Sequence, residues 1–597
     1  MESQIDNAAN APLIPSPEKP KTILHGGQAS SSDGHTEVAK ELYSEHVGMQ
    51  KARSLHEKRS TDDATSSIQE FRAEDMTLAR AKSLGYPTED SLPQQSTASS
   101  LNYVDLEKGI GSVLIKQQLG ADSVEASDNP QSRQRSWQRP NLSRDPSWRI
   151  TAPPRDIPKL PAKRESRMWR RIRYTLLAVY QRLFSLVFIS NIVALIVLQT
   201  LSRHRHWSAG RMATAAATAA GANITVTVLI RQDYVINGLY AICCWTPHSF
   251  PLRIRRLVAK VYEFGGIHSG CAVSATIWFI IFTAFITRTY LDEDYAIPAV
   301  LAITHILLAL LLSICALAIP HFRVVSHNTF EAVHRFAGWT AVALFWVLVL
   351  LDCKAQTRLP GSQPLGMLVI KTPNFWFLLL ITFCIILPWL RLRKVDAVTE
   401  KLSNHVVRMH FRYTDVGAVM GIRITHNPMK EWHSFATIPG PGRNFSVIIS
   451  DAGDWTKKQI MDPMPRYWVR GVPVAGVLRM ALVFKKVVIV TTGSGIGPTL
   501  SMLHAHPLPA RILWSTPNPQ QTYGENILEA VGQADPEALI INTRATGRPD
   551  MVGLAYHLYL ESKAEAVFVL SNASLTRKVV YGMESRGIPA FGPVFDS

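Results

Sequence analysis

Cysteine is scarce in this chain and poorly placed for chemistry. Its six cysteines, Cys243, Cys244, Cys271, Cys315, Cys353 and Cys384, all fall between positions 240 and 390, and none stands at metal-ligand spacing. That excludes a disulfide framework and a thiolate metal centre. It leaves small apolar packing residues, with the adjacent Cys243–Cys244 pair open to acylation. No cleavable N-terminal signal is expected, and no internal repeat is visible. Acidic residues are in deficit, 46 against 63 lysines and arginines, for a net charge of +17. Nucleic acid could answer such a balance. The basic residues, however, gather beside apolar segments, where an anionic leaflet attracts them, so no nucleic-acid partner is expected. Few carboxylates interrupt those segments, which argues against a coupled transporter.

What is present divides the chain into four parts. Residues 1–165 are rich in Ser, Gln, Asp, Pro and Arg and cannot bury enough surface to offset ordering, so a disordered polar tail is predicted. It ends in the basic, Trp169-bearing stretch Lys163–Arg173, which suits a membrane interface. Residues 166–395 hold six apolar segments, near 178–200, 210–231, 267–288, 296–319, 335–352 and 373–390. Each approaches the ~20 residues that a bilayer core requires. Tyr234–Trp245 is too short to cross and reads either as an extension of the second span or as a re-entrant piece. Arg253, Arg255, Arg256 and Lys260 in one loop, with Arg391, Arg393 and Lys394 after the last span, place both termini in the cytosol; the Arg203–Arg211 loop dissents. An integral protein, expected in the plasma membrane, follows.

Residues 396–482 show short alternating strands between Gly/Pro turns, a small antiparallel β-barrel. Residues 483–597 alternate strands (Lys485–Thr491, Ala510–Ser515, Ala538–Asn542, Glu565–Leu570, Pro589–Phe591) with helices, an α/β domain on a parallel sheet. The predicted fold is thus a six-span α-helical bundle, then a barrel, then a nucleotide-binding α/β domain.

The richest motif runs Val487–Pro498, a buried strand emptying into Thr492-Gly493-Ser494-Gly495-Ile496-Gly497-Pro498. Glycines let the backbone approach a phosphate, and the helix that follows aims N–H groups and its positive end at it. A plain tight turn would look similar on its own. Joined to a barrel and six spans, however, the order resembles the ferredoxin-reductase superfamily, and within it the ferric reductase and NADPH oxidase group. Fungal membrane flavoproteins of the TmpA type are the nearest likeness, over roughly residues 170–597.

That resemblance implies FAD on the barrel and NADPH or NADH on the α/β domain. Glu431–Thr437 stands where the family has its flavin-cradling His-Pro-Phe-Thr/Ser motif, so His433, Ser434, Phe435 and Thr437 are candidate flavin contacts. Ser434 replaces the proline and Ala436 the hydroxyl residue. Thr456 and Lys457 occupy the pyrophosphate turn. Thr492, Gly493, Ser494, Gly495, Gly497, Pro498, Ser515, Thr516 and Asn572 match the nucleotide side, with Phe595 as the terminal aromatic that covers the flavin or packs on the core. No cationic cluster selects NADPH over NADH; Arg577 is one candidate.

Family members carry two histidines on each of two spans, about fourteen residues apart, which is roughly 20 Å of helix. Here His268 and His334 match the inner pair, while Phe282 and Val347 stand at the outer positions. The resemblance therefore leaves room for one haem b, with His268 and His334 as its iron ligands; the other reading is a pair of solvated interfacial histidines. His305 lacks an evident partner and reads as a hydrogen-bonded packing residue; His321 stands thirteen residues before His334, but Pro320 and the polar Arg323–Asn328 loop between them make that spacing accidental. Two functions remain open. One is a membrane flavoprotein oxidoreductase passing electrons from cytosolic NAD(P)H through FAD to the inner haem or to an unidentified acceptor. The other is a redox or nucleotide sensor without turnover.

Overall fold

The computed structural model describes residues 147–292, 297–505 and 508–595. Most of the predicted polar tail, and the acidic turn that includes Glu293 and Asp294, lie outside these residues.

Among the described residues, six helices are long and apolar enough to cross a membrane: α1 (Val179–His204), α2 (Ala209–Leu229), α3 (Gly265–Asp292), α4 (Pro298–Leu317), α5 (His327–Gln356) and α6 (Pro373–Leu390). Each encloses or nearly coincides with a predicted span. On α1 the apolar residues Leu186, Ile189, Val193 and Ile196 are all more than half exposed and recur at helical spacing. Such a stripe needs an apolar surrounding. Small residues let the helices approach. Ala213, Ala216 and Ala220 of α2 are buried, and a Cβ on Gly266 of α3 would lie 2.2 Å from the Tyr180 carbonyl oxygen. That contact sets α3, and His268 two residues on, hard against α1.

Tyr234–Trp245 neither extends the second span nor re-enters the bundle. Gln232 accepts from the Tyr234 amide and starts a separate helix, Asp233–Cys244. Its Tyr240 packs in a cluster with Val419, Ala475 and Leu478 of the barrel region. Asn237 donates to Pro473 O and accepts from Ala475 N, both at 2.9 Å.

The barrel follows directly from α6. Its strands are β1 (Arg393–Lys401), β2 (Val406–Arg412), β3 (Met420–Thr425), β4 (His433–Pro439), β5 (Asn444–Ser450), β6 (Arg466–Val469) and the short β7 (Val474–Ala475). The antiparallel order β4-β5-β2-β1-β6-β3 closes through a β3–β4 pairing. The first strand thus begins ahead of the boundary expected at 396. Helix α7 (Asp454–Met461) crosses after β5.

The α/β domain is a parallel sheet in the order β10-β9-β8-β11-β12, formed by β8 (Val487–Thr492), β9 (Ala510–Thr516), β10 (Leu539–Asn542), β11 (Ala566–Leu570) and β12 (Ala590–Phe591). Helices α8 (Ile496–Ala505), α9 (Glu525–Ala534), α10 (Met551–Glu561) and α11 (Ala573–Glu584) cover it. Val487 to Val490 are wholly buried, as a strand covered on both faces must be.

The predicted tail is corrected at its end. Residues 147–164 form an extended strap along the α/β domain. Ile150 bridges Ile540 at the sheet edge, Thr151 N donates to Ile540 O (2.9 Å), Ile157 and Leu160 pack against the α10–α11 cluster, and Arg164 N donates to Ser585 O. Composition concealed this because the strap's apolar residues are single and widely spaced, and their partners lie some 400 positions away in the chain.

Candidate functional site

The glycine turn lies between β8 and α8, at the carboxyl edge of the central strand, where crevices of open parallel sheets form. Gly493 has φ +53°, and a Cβ on Gly495 would fall 2.4 Å from Leu570 O and 2.5 Å from Thr491 Oγ1. Only glycine fits there. The turn is braced from below, since Trp514 Nε1 donates to Gly493 O (3.1 Å) and Trp514 packs edge-on against Tyr523. It is also tied to the barrel. Ser450 Oγ donates to Ser494 Oγ (2.7 Å), and Gly497 faces Ile448. Thr492 bonds Ser571 across the crevice. Ser515 and Thr516 end β9, and Thr516 pairs with Asn542 of β10. Asn572 spends its side chain capping α11, accepting from Leu575 N at 3.0 Å. Pro498 is the third residue of α8, within its first turn. Phe595 is 45% exposed and so is not a core residue.

On the barrel, His433 opens β4. Its ring stacks on Trp455 at 4.0 Å, with Phe435 on the same indole at 5.9 Å. Burial holds its imidazole below the ordinary histidine range, so the ring is neutral at pH 7. Its Nε2 is buried with no hydrogen-bond partner. Ser434 is exposed. Thr437 does not belong to this set. It is fully buried in the barrel wall and donates its hydroxyl to Met420 O, so nothing of it remains for a flavin. Thr456 Oγ1 closes its own turn, accepting from Ala452 N and donating to Gly453 O, while Lys457 projects into solvent at the first turn of α7.

His433 and Ser434 line one cavity of about 960 Å³ that runs from the barrel into the helix bundle. Sequence reasoning missed three of its components. Arg470 lies between two indoles, 4.4 Å from the Trp432 ring and 4.9 Å from Trp389, with Nε buried and without a partner. Burial, with Arg423 and Arg335 nearby, brings its pKa down to about 10, so it stays cationic. Arg423 is held on Asp233 (2.9 and 3.2 Å), and Arg335 donates to Met429 O and Lys430 O. Spacing alone could not reveal these residues, because they come from a loop, a strand and a helix far apart in the chain.

Farther in, His268 and His334 face each other with ring centroids 6.3 Å apart. Thr227 O lies 2.9 Å from His268 Nδ1. A carbonyl only accepts, so Nδ1 donates to it and Nε2 is directed elsewhere. His305 bonds Leu301 O within its own helix and is exposed, so the hydrogen bond expected of it is present and the packing role is not. Phe282 is buried at the outer level. Val347 is 42% exposed, and its neighbour Leu348, fourteen residues beyond His334, lines the cavity instead. All six cysteines are free thiols. No group of three or more His, Cys, Asp or Glu that could hold a metal ion occurs among the described residues.

A barrel, a parallel sheet with a glycine turn and an apolar helix bundle make up the described architecture. Residues 477–597 match the family model described as the C-terminal domain of adenylate-forming reductase 03009. Adenylate-forming reductases 03009 and 06235 of Coprinopsis cinerea are each 44% identical, over 438 and 444 residues. These alignments cover 73% and 74% of this chain, which spans only 42% of the length of either relative. Among solved structures, the ferredoxin reductase in carbazole 1,9a-dioxygenase aligns with 34% of this chain and 70% of its own (11% identity, TM-score 0.27). Ferredoxin-NADP+ reductase from Plasmodium falciparum aligns with 32% of this chain and 91% of its own (15% identity, TM-score 0.25). Likeness at that level adds nothing to the fold read from the chain itself.

Proposed function

We propose that this chain is a membrane-embedded flavoprotein oxidoreductase that draws electrons from cytosolic NAD(P)H. One observation carries the reading. The glycine turn is bonded to the barrel through Ser494 and Ser450, and the barrel's His433 opens into a cavity that continues to His268 and His334. The reductase names of the relatives support the reaction class. The six apolar helices and the exposed α1 stripe support insertion in a bilayer, and the basic loops support both termini inside.

The residues present fit a flavin. His433, Ser434 and Arg470 line a space walled by Trp389 and Trp432, where they would hold its ring. The glycine turn, Ser515 and Thr516 would hold the nicotinamide dinucleotide. His268 and His334, whose rings lie 6.3 Å apart beside the cavity, would hold the iron of one haem. When bound, a flavin converts a hydride into two single electrons and a haem stores one of them. The protein's own part is positional. Trp514 braces the glycine turn that would receive phosphate, Arg470 would stabilise negative charge beside its indoles, and the Thr227 carbonyl orients the His268 ring. With NAD(P)H and ferricyanide, purified protein should reduce ferricyanide, and Gly495→Ala should lower the rate at least tenfold; equal rates would refute the assignment.

A second reading, nucleotide sensing without turnover, is favoured by Trp455, which already covers one face of His433. Retention of FAD with no NAD(P)H oxidation would select it.

A further inference from the structure

The chain enters α1 through a segment that the redox chemistry leaves unused. Residues 163–173 hold six cations against one carboxylate, Glu165. Ser166 accepts from Trp169 N (3.4 Å) and starts a helix, Arg167–Arg171, which continues as a π-turn over Ile172–Leu176. This helix does not run on into α1. Leu177 (φ −123°, ψ 46°) and the extended Ala178 break it. Arg182, in the first turn of α1, folds back to donate to Leu177 O (2.6 Å) and Arg173 O (3.4 Å), so the orphaned carbonyls at the break are satisfied. The segment is thereby bent off the α1 axis and held there.

Its place is fixed from two sides. Just past the bend, Tyr180 N donates to Glu263 Oε2 (3.0 Å), ahead of α3. On the other side, Tyr174 Oη donates to Glu584 O (2.9 Å) at the end of α11, and its ring lies edge-on to Tyr581 at 5.8 Å. Arg256 and Lys260 reach the Glu584 carboxylate at 3.3 and 3.2 Å. The segment therefore sits where the long apolar helices meet the α/β domain. Its outer surface is open. Trp169 and Leu176, about two helical turns apart, are 60% and 59% exposed, and Met168 is exposed beside them. Arg167, Arg171 and Arg173 are exposed on the same segment, Arg173 being shared with Glu165.

Nucleic acid would answer the arginines and leave Met168 and Leu176 in water. Hydrocarbon alone would cover the leucine and strand the guanidinium groups. The complement is the boundary of a bilayer, with phosphate above and acyl chains below, where Trp and Arg side chains settle. The exposed apolar stripe of α1 begins at Leu186, ten residues after Leu176, so the segment adjoins that surface.

We propose that Arg167–Leu176 lies in the plane of the leaflet on the α/β side and binds anionic phospholipid headgroups. Arg167, Arg171 and Arg173 meet the phosphates, while Trp169 and Leu176 enter the acyl boundary. Through Tyr174 the segment fastens the end of α11 to the bilayer. An anionic leaflet strengthens attachment about fivefold for each such cation. The proposal rests on the membrane-embedded reading and is independent of the redox one.

The test places the purified full chain in nanodiscs of phosphatidylcholine, with and without phosphatidylserine. The emission of Trp169, taken as the difference between wild type and Trp169→Phe, should be quenched at least twofold by a phosphatidylcholine bearing a nitroxide high on its acyl chain. Chymotrypsin should cut at Trp169 and Leu176 at least fivefold more slowly with phosphatidylserine than without. The double variant Arg167→Gln, Arg171→Gln should abolish that difference while keeping the wild-type melting temperature in phosphatidylcholine. Trp169 unquenched, or cleavage indifferent to phosphatidylserine, in protein that alkaline carbonate fails to extract from membranes, overturns the proposal. Protection that grows with protein concentration in detergent, without lipid, overturns it in favour of a second copy of this chain. Extraction by carbonate defeats the membrane-embedded reading instead, and cleavage measured on vesicles with and without phosphatidylserine still decides the headgroup site.

Discussion

Gly495 and His433 carry the clearest single-residue consequences. A methyl at Gly495 would meet Leu570 O and Thr491 Oγ1, both in a fully packed strand environment. Gly495→Ala should therefore cost about 1–3 kcal/mol of stability, the usual range for overpacking, and raise the Kd for NADPH or NADH; a thermal melt and a nucleotide titration measure both. His433→Leu removes an orphaned buried nitrogen, so the apoprotein should be at least as stable as wild type while flavin content after purification falls severalfold. The pH response of His433 has a definite sign. Its folded pKa lies below the unfolded value, so its contribution is complete above pH 6.5 and is lost as the pH falls through the folded value. Wild type should thus lose more stability than His433→Leu between pH 7.5 and 5.5 in urea unfolding. The glycine turn was legible from sequence because its constraint is local. Thr437 was misread because motif position does not reveal burial, and Arg470 was invisible because its meaning comes from Trp389 and Trp432, far away in the chain.

At the scale of elements, the basic connections between helices and domains hold the assembly together. Arg255, in the short helix Leu252–Val258, bonds Glu565 at 2.6 and 2.8 Å, and Glu584 receives Arg256 and Lys260. Hydrogen bonding from Arg255 holds the Glu565 carboxyl below the usual carboxylate range. That contribution is present above the ordinary glutamate pKa and fades as pH falls through the lowered one. Arg255→Leu should destabilise the folded chain by about 2–3 kcal/mol. That is less than a fully buried broken pair, because Glu565 keeps some contact with water. The variant should also lose part of the wild-type protein's sensitivity to acid, which melting at pH 7 and pH 4 checks. The strap supplies a second prediction. Replacing Leu160 by Ala should cost about 1–2 kcal/mol, below the range for a fully buried leucine, and should hasten proteolysis between residues 147 and 165. The long apolar helices and the strands were readable from apolar runs of the right length and period. The strap was not, because its polar, proline-containing composition resembles a tail and its stability is borrowed from the sheet it lies on.

At the scale of the whole molecule, the α/β domain, the barrel and the bundle are joined so that one cavity passes from the barrel into the apolar helices. The order of domains was legible from composition shifts and the glycine turn. The continuity of the cavity was not, because it depends on docking through Arg423–Asp233, Arg335 and the Gly471–Pro388 backbone bond. A haem between His268 and His334 predicts a reduced-minus-oxidised absorbance band that vanishes in His268→Ala, without loss of flavin. The most direct test of the central claim is an anaerobic titration of the purified, detergent-solubilised chain with NADPH and with NADH, followed at the visible flavin band. The account predicts a yellow protein whose band bleaches on adding at least one of the two nucleotides and returns on admitting ferricyanide. A colourless protein, or a flavin band indifferent to both nucleotides, would contradict it.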